Sequence, residues 1–188
     1  MKRIRSFVLL LAASLALNVS FGQTMMNEKT TEVGGAAMYP SKNIIQNAVN
    51  SKDHTTLVAA VKAAGLVETL QGAGPFTVFA PTNAAFGMLP NGTVDMLLKP
   101  ENKAALAGVL TYHVVAGKLD ARAIDRKIKD GNGTAELTTV AGGKLWITQK
   151  DGKYMIKDEK GGWATITIKN VYQSNGVIHV IDHVMMPK

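Results

Sequence analysis

Thr77-Val-Phe-Ala-Pro-Thr-Asn-Ala-Ala-Phe86 and, much further along, Asn175-Gly-Val-Ile-His-Val-Ile-Asp-His-Val-Met-Met-Pro187 are the two stretches that anchor the fold. In the first, the β-branched and aromatic content of Phe76 to Ala80 suits a buried strand. Pro81-Thr82 turns the chain at once, and Thr82 is placed to cap a short helix that carries Ala85 and Phe86 inward. In the second, Val177 to Val184 reads as one apolar strand.

Upstream of the first stretch, Ile44, Ile45, Ala48 and Val49 fall on a helical stripe. Asp53 is a candidate cap for a second helix carrying Leu57, Val61 and Ala64, and Gly65 stands where that helix should stop. Further helices are expected over Thr93 to Leu98 and from Pro100 to Leu110, then a strand over Tyr112 to Val115. Asp120 can cap a last helix ending near Asp130-Gly131. Beyond it, Leu145 and Ile147 alternate with Trp146 and Thr148, Asp151-Gly152 signals a hairpin, and Ala164, Ile166 and Ile168 alternate with polar neighbours. Helices grouped in the first half and about seven strands imply an α+β, antiparallel-rich β-wedge with the helices packed on it, not a doubly wound parallel sheet.

At the start, Lys2, Arg3 and Arg5 precede an apolar run from Phe7 to Leu17 and the small residues around Ser20 and Gly22. Residues 1–22 therefore read as a signal peptide, the run being shorter than the ~20 residues a bilayer span requires. Residues 23–40, with Gly34-Gly35 and no period, read as a flexible arm, and 41–188 as one domain. The product is expected to be secreted, at the cell surface, in the periplasm or released, without a membrane span. The chain of 188 residues has no cysteine, which excludes disulfides, thiolate metal sites and a cysteine nucleophile. Of the formal charge of +7, three positive charges lie in the leader, and the remainder lacks the clustered cations and stacking aromatics of a nucleic-acid binder.

Signs of catalysis are absent. Of the four histidines, His179 and His183 lie four apart on an expected strand, on one face but ~13 Å apart, too far to share an ion unaided. Asp182 beside His183, with Ser174 near, suggests a triad. Strand neighbours face opposite sides, however, and no Gly-x-Ser-x-Gly elbow occurs. Phosphate and dinucleotide loops are also missing, so no cofactor is expected. One charge pattern stands out: Arg122, Arg126 and Lys129 form a basic stripe on the helix after Asp120, suited either to an anionic polymer or to simple solvation.

The two opening stretches, with Tyr112-His113 between them, resemble in content and order the motifs of the fasciclin domain family over residues 41 to 187. The resemblance implies a seven-stranded β-wedge bearing helices, and an extracellular adhesion module like the small single-domain bacterial members. It further implies binding segments at Tyr112, His113 and Asn175 to Val184, including Asn175, His179, Asp182 and His183. The apolar setting of these residues equally suits a framework role. The expected function is thus a secreted, non-catalytic module in noncovalent contact with a cell-surface or matrix component, anionic polysaccharide among the candidates. The alternative is a carrier or sensor of a small apolar ligand, held between helices and wedge and served by the nine methionines.

Overall fold

The computed structural model describes residues 28–188; the signal peptide expected over residues 1–22, and residues 23–27, lie outside the described residues. The chain begins with a hairpin of β1 (Thr31–Val33) and β2 (Ala36–Met38), followed by α1 (Ile44–Ala48), α2 (Thr55–Ala64) and α3 (Val67–Gln71). Then come β3 (Phe76–Pro81), α4 (Asn83–Gly87), α5 (Thr93–Leu97), α6 (Lys103–Tyr112), β4 (Val114–Ala116) and α7 (Ala121–Asp130). Five strands complete the chain: β5 (Thr134–Thr138), β6 (Lys144–Lys150), β7 (Lys153–Lys157), β8 (Trp163–Gln173) and β9 (Gly176–Ile181).

The main sheet has seven strands in the order β4-β3-β9-β8-β7-β6-β5. All its neighbours are antiparallel except β3 and β9, which pair in parallel from Phe76–Gly176 to Pro81–Ile181. The sheet curls until its two edges meet, where Val115 bridges Thr139 and the Val140 N–H donates to Val114. The α+β wedge read from the sequence is therefore present.

Two cores share the central strands. On one side α1, α2, α3 and α6 pack with Val33 and Met38 against Val78, Ala80, Ile178 and Val180. On the other, Phe79 and Ile181 join Ile124 of α7 and Leu145, Ile147 and Ile156 inside the curled sheet. With apolar layers on both faces, all six residues of β9 are buried, which is why its sequence is an almost unbroken apolar run. Gly176 opens that strand because a Cβ there would lie 2.1 Å from the Phe76 carbonyl oxygen, so only glycine permits the close parallel approach.

Local chemistry explains most element ends. The Thr82 hydroxyl accepts from Ala85 N–H, Asp120 accepts from Ala123 N–H, and Gly65 closes α2 in the left-handed conformation. Asp151 and Gly152 both take positive φ in the β6–β7 turn, as a two-residue hairpin requires.

Four expectations are corrected. Residues 31–38 are not a flexible arm: they form the β1–β2 hairpin, whose Val33 and Met38 reach the core. Asp53 does not cap α2; it sits in a 3-10 turn, Lys52–His54, and no side-chain cap is made. Tyr112 and His113 are not strand residues, since α6 runs through Tyr112 and ends at His113. The last strand stops at Ile181, leaving Asp182 and His183 in a bend.

Candidate functional site

Tyr112 and His113 meet the middle of the molecule because α6 delivers them there as it ends. Tyr112 is 0% exposed; its Oη donates to the Lys144 carbonyl (2.7 Å) and accepts from Glu159 N–H (3.0 Å). Burial pushes its hydroxyl up to about 12. His113 Nδ1 lies 2.8 Å from the Val109 carbonyl and Nε2 lies 2.9 Å from Met185 N, so Nδ1–H donates and Nε2 accepts in a neutral ring. Burial holds its pKa down to about 4, against the smaller opposing effects of Val109 and Asp158.

The second stretch is equally occupied. Asn175 donates to the carbonyls of Leu70 (2.8 Å) and Gly72 (2.9 Å) and accepts from Ile44 N–H (3.0 Å), tying the start of β9 to α1 and α3. His179 stacks on Phe79, with its Nε2 facing the Leu119 carbonyl at 2.8 Å and Nδ1 near Asn170 N–H at 3.4 Å. Burial lowers its pKa too. These four side chains are sealed inside the protein with every polar atom engaged, so they hold the frame and offer no surface for direct contact.

Asp182 and His183 differ. Adjacent residues on a strand would diverge, but the bend after Ile181 lets His183 Nδ1 reach Asp182 Oδ1 at 2.8 Å, correcting the expected separation. Although partial burial works the other way, the hydrogen bonds from His183 and Thr165 hold the Asp182 carboxyl below its usual range. Both are partly or fully exposed, and Ser174 does not join them in a triad: its N–H belongs to a loop contact with the Lys42 carbonyl at the other end of β9. Among the described residues no group of three or more His, Cys, Asp or Glu is placed to hold a metal.

The basic stripe is where the sequence put it. β8 bulges at Asn170, whose Oδ1 accepts from Ala121 N–H (2.7 Å), and together with the Asp120 cap this fixes the first turn of α7. Ala121 and Ile124 point into the core, which turns Arg122, Arg126 and Lys129 outward and exposed. Two of the nearby acids face other partners: Asp125 accepts from the Tyr154 hydroxyl (2.7 Å), and Asp120 from Ala123 N–H and the Tyr172 hydroxyl, while Asp130 beside Lys129 is exposed. Among the described residues the ion pairs are Lys144–Glu136 and His183–Asp182, and neither touches the stripe.

A further feature lies between helices and sheet, where the alternative reading puts an apolar ligand, though no single stretch of sequence marks its lining. An apolar cavity of about 60 Å³ lies between the hairpin, α1, α2 and the sheet, lined by Met38, Ile44, Leu57, Val61, Phe79 and Ile178 among others. His54 also lines it. Its Nδ1 pairs with the Ser51 hydroxyl (2.9 Å), while the buried Nε2, beside the Ala80 backbone, makes no hydrogen bond of good geometry. Nothing local in the Asp53-His54 sequence announces this, since the hole arises from how distant elements meet.

Comparison with known proteins agrees with this geometry. The chain is 44% identical over 186 residues to Protein sll1483 of Synechocystis sp., spanning 98% of this chain and 96% of that protein. It is 33% identical over 165 residues to the cell surface glycolipoprotein MPB83 of Mycobacterium bovis, spanning 85% and 67% respectively. Among solved structures, a FAS1 domain pair from the insect cell adhesion molecule Fasciclin I superposes with a TM-score of 0.70 at 15% identity, over 79% of this chain and 52% of that one. The sequence pattern of the Fasciclin domain matches residues 52–187, and this chain belongs to the fasciclin domain family.

Proposed function

We propose that this protein is a secreted, non-catalytic adhesion module that makes noncovalent contact with an anionic polymer of a cell surface or matrix through the exposed face of α7. The observation that carries this is the alignment of Arg122, Arg126 and Lys129 on one outward face, with Asp120 and Asp125 engaged by other partners. Support comes from the family: the insect FAS1 pair belongs to a cell adhesion molecule and MPB83 is named for the cell surface. Among the described residues no helix is long and apolar enough to cross a membrane. A single such face gives weak contact, so useful avidity needs dense display.

The test is binding of the secreted protein to whole cells and extracted surface polysaccharide, at about 0.05 and 0.5 M salt. Attraction by exposed cations fades as the screening length shrinks from roughly 14 Å to about 4 Å. The expected result is salt-sensitive binding that the Arg122→Ala/Arg126→Ala/Lys129→Ala variant loses while its melting is unchanged. Undiminished binding by that folded variant would remove α7 as the contact, and no binding to any preparation would remove the adhesion reading.

The cavity beside His54 supports a second reading, a carrier or sensor of a small apolar ligand. At about 60 Å³ it is well below the ~150 Å³ of engineered holes that take a benzene ring, so it suits the end of an alkyl chain. Met38 is the methionine that lines it, so an adaptable methionine surface is not what forms it. Native mass spectrometry of detergent-free protein would show a bound mass if this reading holds and the bare polypeptide if it does not.

A further inference from the structure

The outward face of the sheet from β5 to β8 carries an arrangement that the adhesion motifs do not explain. Register places Glu136, Trp146, Lys157 and Trp163 directly opposite one another on four successive strands. Partners opposite each other in a ladder point to the same side, and the alternate residues Leu145, Ile147, Ile156 and Ala164 are the buried ones, so this row faces solvent. The chain has two tryptophans, and both stand in this row. Single exposed aromatics are ordinary on a protein surface, but two in register on one outward face form a patch.

Spacing and orientation give the patch a chemistry. Trp146 and Trp163 are two strands apart, hence ~10 Å at the backbone, with a lysine between them. Trp146 Nε1 donates to Glu136 (3.1 Å), which fixes its ring, and Lys157 lies over the Trp163 ring at 5.9 Å from its centre. Trp163 remains 46% exposed. Around the row the same face presents Lys144, Lys150 and Lys153, together with the hydroxyls of Thr148 and Thr165. Its acid Glu136 is already paired with Lys144, and Asp182, which accepts from Thr165 at the margin, is paired with His183, so against Lys144, Lys150, Lys153 and Lys157 the face is net positive.

Aromatic faces are electron-rich and attract the weakly positive C–H surfaces of sugar rings, while ammonium groups recognise carboxylates or sulfates. We propose that this face binds an extended acidic polysaccharide, sugar rings stacking on Trp146 and Trp163 with a carboxylate or sulfate between them at Lys157. Unlike the α7 stripe, this surface combines a stacking platform with charge, and it lies on the opposite side of the sheet: α7 packs through Ile124 against Ile147 and Ile156, whose neighbours Trp146 and Lys157 point away. It rests on the adhesion reading for its biological setting and on its own geometry for its chemistry, so the two fail separately.

Because both tryptophans are in the row, tryptophan emission, excited selectively over the four tyrosines, reports this face. The experiment titrates the secreted protein with a β-linked oligouronate and with a neutral cello-oligosaccharide of equal length, following emission and, independently, affinity electrophoresis. The oligouronate should shift the emission and bind more tightly than the neutral sugar. Trp146→Ala and Trp163→Ala should each weaken binding about three- to tenfold, Trp163→Phe should regain most of the loss, and Lys157→Gln should flatten the salt dependence. The α7 triple variant should leave this titration unchanged even where it loses cell binding. Absence of any emission change in a cooperatively melting protein overturns the proposal, as does full affinity in the double Trp→Ala variant. Equal binding of the neutral sugar overturns its acidic component, and an emission change on dilution without sugar would reassign the face to contact between copies of this chain.

Discussion

β9 and β7 lie in one sheet and are of similar length, yet they are built on different principles. All six residues of β9 are buried between two cores, and its one polar side chain, His179, is spent on internal hydrogen bonds. β7 alternates, with Tyr154 and Ile156 inward and Lys153, Met155 and Lys157 outward. The strand that marks the family is therefore the one with no free face, while the strand without a motif presents one. Recognisability and availability for contact separate along the sheet.

That contrast breaks most visibly at Tyr112, which braces β6 and the Glu159 loop from the end of α6. Tyr112→Ala removes a fully buried ring and leaves two backbone groups without partners, so stability should fall by about 4 kcal/mol, seen as a melting point lower by roughly 10 °C. If Tyr112→Ala melted like the parent protein, the framework side of the contrast would be wrong. Asn175→Ala should follow at about 3 kcal/mol by urea unfolding, because Ile44 N–H and the Leu70 and Gly72 carbonyls all lose their partner.

Acid sharpens the same contrast without mutation. His113 is neutral when folded, with a pKa of about 4 against 6.5 when exposed. As pH falls below 6.5 the unfolded chain binds a proton that the folded chain refuses, so stability declines until about pH 4, by an order of 3 kcal/mol. His54 and His179, also lowered by burial, steepen the decline. Denaturant midpoints measured from pH 7.5 to 4.5 should fall steadily, and a folded His113→Gln variant should show a shallower slope. A midpoint independent of pH over that interval would contradict the neutral, buried assignment.

Exposed positions complete the series. Arg122→Ala, Arg126→Ala and Lys129→Ala should each change stability by under about 0.5 kcal/mol, a shift of a degree or so in melting. A large loss of stability from any of them would show that α7 is held by its charges and not by Ala121 and Ile124.

The legible parts of the fold were those set by local chemistry. Thr82 and Asp120 announced their helices through capping, Asp151-Gly152 its hairpin, and β9 its burial through an apolar run. The β1–β2 hairpin was hidden because its three-residue strands are too short to show a period, and its order comes from Val33 and Met38 packing under α1. The Asp182–His183 pair was hidden because the apolar pattern continues through Val184 while the backbone bends after Ile181. Trp146 was visibly outward from its alternation with Leu145 and Ile147, but its alignment with Trp163 depends on strand register across β7, which no local window contains.

The position of β9 also bears on when the molecule can fold. This strand lies inside the sheet between β3 and β8, yet it is translated after both of them. Until Ile181 has emerged, β3 has no parallel partner, β8 has no antiparallel one, and neither core has its dividing wall. The Met185 N–H that completes the hydrogen bonding of His113 arrives later still. The β5–β8 ladder can pair before β9 emerges, but the two cores can close only afterwards, so the long-range part of folding is a late step.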